Sequence, residues 1–154
     1  MSQLDLFDRA ILRELQCNCR QSTEQIAAAV ALSATAVQRR IRRLRESGVI
    51  RAEQAIVEPS AIGRTLSILV EVTLVGGRSD IIADFKRQVQ AIPEVQQCYY
   101  VTGDYDFMLI VSAVDVVEYE RLTHRLFFDN PHIQRFHTVV VIEAIKVGLS
   151  LPIT

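Results

Sequence analysis

Five arginines fall within seven consecutive positions, Arg39, Arg40, Arg42, Arg43 and Arg45, with Glu46 the one acid beside them. Guanidinium groups at this density suit oxyanions, because their planar forks take a phosphate or a guanine edge in bidentate fashion. Thr35 and Gln38 stand just ahead of them with side chains short enough to probe base edges. A second group, Gly103-Asp104-Tyr105-Asp106 preceded by Tyr100 and Thr102, offers carboxylates for an ammonium ion and turn amides for a carboxylate. The same residue types also make an ordinary hairpin turn. Catalytic chemistry is not signalled. His124, His132 and His137 lack a metal-binding spacing, and Cys17, Cys19 and Cys98 form no CxxC pair. There is no glycine-rich phosphate loop and no nucleophile elbow. No catalytic residue, no metal ligand and no cofactor is therefore expected, and the three thiols read as reduced.

The arginines need a helix to carry them. Leu4, Phe7, Ile11, Leu12 and Leu15 recur at helical spacing and predict a first helix over 5–16, with Asp5 and Asp8 at its positive end. Ser22 and Gln25 have the spacing of a capping box for a short second helix, whose inner face is Ile26, Ala27 and Val30. Ala31-Leu32 makes a tight turn, and Ser33 caps a third helix that runs to about Ser47 before Gly48. On that helix Val37, Ile41 and Leu44 form one stripe, while Thr35, Arg39 and Arg42 lie opposite and Gln38 and Arg43 flank them. Such an arrangement is a helix-turn-helix, with Ser33, Thr35, Gln38, Arg39, Arg40, Arg42 and Arg43 as candidate DNA contacts. Residues 49–57 alternate well enough to predict a strand, either a wing or a connecting ribbon.

The second half reads as strand 67–75, helix 80–91, strand 95–102, strand 107–113, helix 116–128 and strand 133–147. The order βαββαβ is the ferredoxin-like split arrangement. The expected fold is thus α+β: an N-terminal helix-turn-helix domain, winged-helix-like, over 1–51, a linker or connecting strand over 52–64, and a ferredoxin-like domain over 65–154. Strand 107–113 is apolar on both faces, and 139–145 alternates Val139, Val141 and Ile145 with Val140, Ile142 and Ala144. A sheet apolar on both sides needs cover on both, which predicts a second subunit related by two-fold symmetry. Two-fold pairing also lets two recognition helices read two half-sites.

Composition sets the class. Of 154 residues, 49% are hydrophobic and 23% charged, as in a globular chain. No apolar run approaches the roughly 20 residues of a membrane span, and Met-Ser-Gln-Leu-Asp opens no leader, so no membrane partner and a cytoplasmic location are expected. The net charge of −1 hides an asymmetry: residues 1–51 carry nine arginines against five acids, and the excess acid lies in the remainder. A basic head on an acidic body suggests two jobs on one chain.

These features together resemble the leucine-responsive regulatory protein and asparagine-regulator (Lrp/AsnC, feast/famine) family of transcription factors. The carriers are Leu6 to Leu15, Leu32 to Leu44, Gly48-Val49-Ile50 and Val101 to Asp106. Ala34, Ala36 and Val37 stand where the family often has Pro, Pro and Cys, a departure that bears on DNA sequence preference. The resemblance implies a transcriptional regulator whose C-terminal domain senses a small effector, usually an amino acid, in a cleft between subunits, and whose dimers assemble further into octamers. It places the turn Gly103, Asp104, Tyr105 and Asp106 beside the effector, where by their chemistry Tyr100 and Thr102 are further candidates to hold its carboxylate or side chain. An architectural DNA-binding protein without an effector is the alternative reading, and an enzyme is the remote one.

Overall fold

The computed structural model describes residues 4–154, so the first three residues read above for a leader lie outside it. The chain forms two compact units, one built from residues through Ile56 together with Lys146–Thr154, the other from Val57–Ile145.

Unit 1 is three helices: α1 (Leu6–Cys17), α2 (Thr23–Val30) and α3 (Ala34–Glu46). Helices α2 and α3 begin where Ser22 and Ser33 predict, and α1 begins one residue later than its apolar spacing suggests because Asp5 caps it. Asp5 and Asp8 satisfy one another's backbone N–H at the start of α1, Ser22 and Gln25 do the same for α2, and the Ser33 hydroxyl accepts from the Ala36 amide to open α3. The buried stripes are those of the sequence pattern, Ile11 and Leu12, then Ile26, Ala27 and Val30, then Val37, Ile41 and Leu44. The α2–α3 turn is tight because Ala31 adopts a left-handed conformation, φ 55°, alone among the described non-glycine residues. That conformation costs an L-residue about 1–2 kcal/mol, part of which a glycine would give back through its looser unfolded chain. Ala31→Gly is expected to stabilise unit 1 by about 0.5–1 kcal/mol in thermal or urea unfolding.

The expected strand over 49–57 does not form. Residues 51–58 have no regular structure, and Ile56 is 91% exposed. An alternating segment becomes a strand only against a partner edge, and the described residues provide none there.

Unit 2 holds β1 (Leu66–Leu74), α4 (Ser79–Gln90), β2 (Val95–Tyr100), β3 (Phe107–Ala113), α5 (Val116–Thr123) and β4 (Ile133–Val140). The sheet order is β2-β3-β1-β4 with antiparallel neighbours, the ferredoxin-like topology. Ile68, Val70, Val72 and Leu74 of β1 meet Phe107, Leu109, Val111 and Ala113 of β3 under the helices, with Phe85 of α4 and Leu122 of α5 above them. The second helix is longer in sequence pattern than in α geometry: after Thr123 the chain widens into a π turn over His124–Phe128, closed by the Asp129 amide on the His124 carbonyl. The wider turn buries two consecutive residues, Leu126 and Phe127.

The last strand ends at Val140, not at 147. Val140 pairs with Ile68, and Val141 donates to the Ser67 carbonyl, one residue from the start of β1 at Leu66. The uncovered sheet face is mixed in consequence. Leu69, Met108, Ile110 and Val139 form its apolar centre, while His137 lies 3.3 Å from Glu71 and Arg135 reaches Thr73. The two-sided apolar expectation thus holds for β3, whereas β4 presents Arg135 and His137 on this face.

Candidate functional site

In unit 1 the helix-turn-helix displays α3 with its polar side outward. Thr35, Gln38, Arg39 and Arg42 are exposed, and Arg39 has no ion-pair partner among the described residues. Arg42 lies against Glu46 at 2.7 Å, one helical turn on, and this carboxylate raises the already high guanidinium pKa. Ser33 is a cap first, since its Oγ is occupied by the Ala36 amide at 3.2 Å.

Arg40 and Arg43 behave differently. Asp8 is buried, 1% exposed, on the side of α1 that packs against α3. Its Oδ1 accepts from Arg40 Nη1 at 2.8 Å and its Oδ2 from Arg43 Nη2. The Arg40 Nη1 also bonds Asp5 Oδ2 at 2.7 Å, and the Arg40 guanidinium sits 5.5 Å from the Phe7 ring centroid. The Asp8 amide and the Arg40 guanidinium both favour the ionised Asp5 carboxyl, which is held below the usual range, and Asp5 and Asp8 in turn raise Arg40. Arg40 is therefore 20% exposed at its side chain, but Arg43 keeps 51% and presents its other edge to solvent. Arg45 turns away to grip Glu53 through both carboxylate oxygens, at 2.9 and 3.0 Å. Asp5 and Asp8 are the residues that pattern reading missed as part of this face. The available signal was a match of spacing, two acids three apart on one helix and two arginines three apart on another.

In unit 2 the β2–β3 connection carries the second candidate group. Gly103 sits at φ 129°, a conformation that a side chain strains. Thr102 and Asp104 are exposed, Tyr105 is half-buried, and the Asp104 carbonyl accepts from Arg135 Nη2 at 3.0 Å. Asp106 is tied into the sheet: its Oδ2 accepts from the Leu74 amide at 2.7 Å, and its own amide donates to the Val72 carbonyl at 2.9 Å. Tyr100 stands apart from the turn, its ring 5.0 Å from that of Phe107 and 4.7 Å from Lys86 Nζ on the helix-covered side. Arg135, beside the turn, is a cation that the sequence pattern did not single out. Among the described residues no cluster of three or more His, Cys, Asp or Glu is placed to hold a metal, and no helix is long and apolar enough to cross a membrane.

A basic recognition helix in one unit and a ferredoxin-like sheet in the other are the two parts of a DNA-binding transcriptional regulator with a separate ligand-binding domain. The AsnC-type helix-turn-helix domain model matches residues 4–45, the Lrp/AsnC ligand binding domain model matches residues 67–151, and the chain belongs to the Lrp/AsnC family. It is 46% identical over 151 residues to an uncharacterized HTH-type transcriptional regulator of Sinorhizobium fredii, covering 98% of this chain and 89% of that one. It is 35% identical over 143 residues to the leucine-responsive regulatory protein of Escherichia coli, covering 93% and 87%. Among solved structures, a Neisseria meningitidis transcriptional regulator in complex with L-Met superposes with a TM-score of 0.90 at 28% identity, over 97% of each chain.

Proposed function

We propose that this regulator binds specific duplex sites through α3 and that an amino acid, bound near the 101–106 turn, alters its assembly or its DNA affinity. The observation that carries the reading is the outward face of α3, where Thr35, Gln38, Arg39 and Arg42 stand free of the core while Arg43 is held half-exposed by Asp8. Thr35 and Gln38 would meet base edges, and Arg39, Arg42 and Arg43 would meet phosphates or guanine. Ser33 and Arg40 serve the same face from behind, one opening the helix and the other fixing it to α1. In this division residues 1–51 read DNA, 52–64 connect, and 65–145 sense and assemble, while 146–154 return to unit 1.

The amino-acid reading rests on the L-Met complex of the Neisseria relative and on the chemistry of this turn. Exposed Asp104 suits an α-ammonium group, and Thr102, Tyr105 and the Gly103 backbone suit the rest of a small polar ligand. Asp106 and Tyr100 contribute by shaping the turn and its flank. Exposed Ile56, Val57, Ile142 and Ile145, with the apolar centre of the open sheet face, support a homo-oligomer, a dimer that assembles further into an octamer. A DNA-bound regulator of this bacterial family works in the cytoplasm.

Mobility-shift and sizing measurements against the twenty amino acids test this. At least one should change the shift or the particle size; a flat response to all of them with DNA binding intact would favour an architectural protein without an effector. Gly103→Val places a β-branched residue at a positive φ and is expected to blunt the amino-acid response at least about tenfold while DNA affinity without ligand stays within about twofold. Equal losses in both measurements would remove the turn from the effector site.

A further inference from the structure

Helix α1 carries a second polar stripe that neither the DNA face nor the core uses. Arg9, Arg13 and Gln16 are spaced four and three apart and so lie on one side of the helix. Residues 151–154 run along that stripe in the opposite direction. The Gln16 amide pairs both ways with Leu151, Nε2 to its carbonyl at 2.9 Å and its amide to Oε1 at 2.7 Å. Arg13 Nη1 donates to the Ile153 carbonyl at 3.2 Å, and Arg9 Nη1 to the Thr154 carbonyl at 2.6 Å. The lengths agree: seven residues of helix and three of extended chain each span about 10 Å.

Every polar contact is to main chain, and one side chain, Ile153, packs against the unit 1 core. Pro152 restricts Leu151 to extended backbone, which lowers the entropy lost on docking. The stripe thus has the character of a peptide-reading surface: three donors for an extended backbone and a place for one aliphatic residue. The same helix holds Asp5 and Asp8, which fix Arg40 and Arg43 of α3.

We infer that this stripe is a docking site for the chain's own residues 151–154, and that DNA binding depends on its occupancy. Seated, the segment steadies α1 and, through Asp5 and Asp8, the set of the recognition helix. Drawn off, it loosens both. The segment follows β4 in the chain, so unit 2 leads into a peptide that the DNA-binding unit requires.

The test uses full-length Ile153→Asp, Gln16→Leu and the double variant, none of which alters the α3 face. Hydrogen exchange at the α1 amides and duplex affinity are measured on each. Either single change should cost about tenfold in α1 protection and in affinity, and the double variant should be no worse than the poorer single, because both remove one contact surface. Should Ile153→Asp unfold the unit, Pro152→Gly loosens only the segment and should give a smaller loss in the same two readouts. Wild-type affinity with wild-type α1 protection in the single variants would overturn the inference, as would losses that add in the double.

Discussion

Replacing Arg39 and Arg42 together with alanine should weaken duplex binding by about tenfold to a hundredfold near physiological salt and lower the slope of log affinity against log salt by about 2 for each recognition helix engaged. The two residues are exposed on α3, and neither holds unit 1 together. Arg39 has no ion-pair partner among the described residues, and the Arg42–Glu46 pair is solvent-exposed at both ends. A fully exposed pair of this kind contributes little to stability, so helix content and particle size should be unchanged. Fluorescence anisotropy on a labelled duplex across a salt series reads affinity and slope together. An unaltered slope would mean that the α3 arginines do not meet phosphate, and the duplex would have to lie elsewhere.

Asp8→Asn should act on stability. The carboxylate is buried and serves two guanidinium groups and the Asp5 amide at once. The amide that replaces it keeps one acceptor and turns a donor toward a donor. Removing one partner from a fully buried charge pair costs about 3–5 kcal/mol, but here both freed cations retain access to water, Arg43 more than Arg40. We expect unit 1 to lose about 2–4 kcal/mol, which for a domain of this size lowers its midpoint by roughly 10 °C or more. Thermal unfolding followed by circular dichroism measures it. A loss under about 0.5 kcal/mol would show that the ion pairs, though well formed, contribute almost nothing beyond solvation.

What could be read in advance depended on distance along the chain. The starts of α2 and α3 followed from Ser22 and Ser33, because a cap and its amide are three residues apart. The βαββαβ order followed from periodicity within each segment. The partners of Arg40, Arg43 and Arg45 did not: a run of arginines reads as a uniform basic face, yet Asp5, Asp8 and Glu53 claim three of the five. The turn showed the same limit. Asp104 and Asp106 are equivalent as letters, but pairing with β1 leaves one exposed and commits the other to the Leu74 amide.

Sequence by itself determined the class of the protein, its two-part build and the face of α3 that points outward, since amphipathic spacing decides which side of a helix seeks the core. Tertiary structure decided which arginines stay available, where β4 stops and where the chain goes afterwards. Alternation over 139–145 cannot report that β1 reaches no further than Leu66 and leaves β4 without a partner beyond it, nor can Gln16 announce Leu151 across 135 steps of chain. Those outcomes belong to contacts between residues far apart in the chain, and only folding brings such residues within hydrogen-bonding reach.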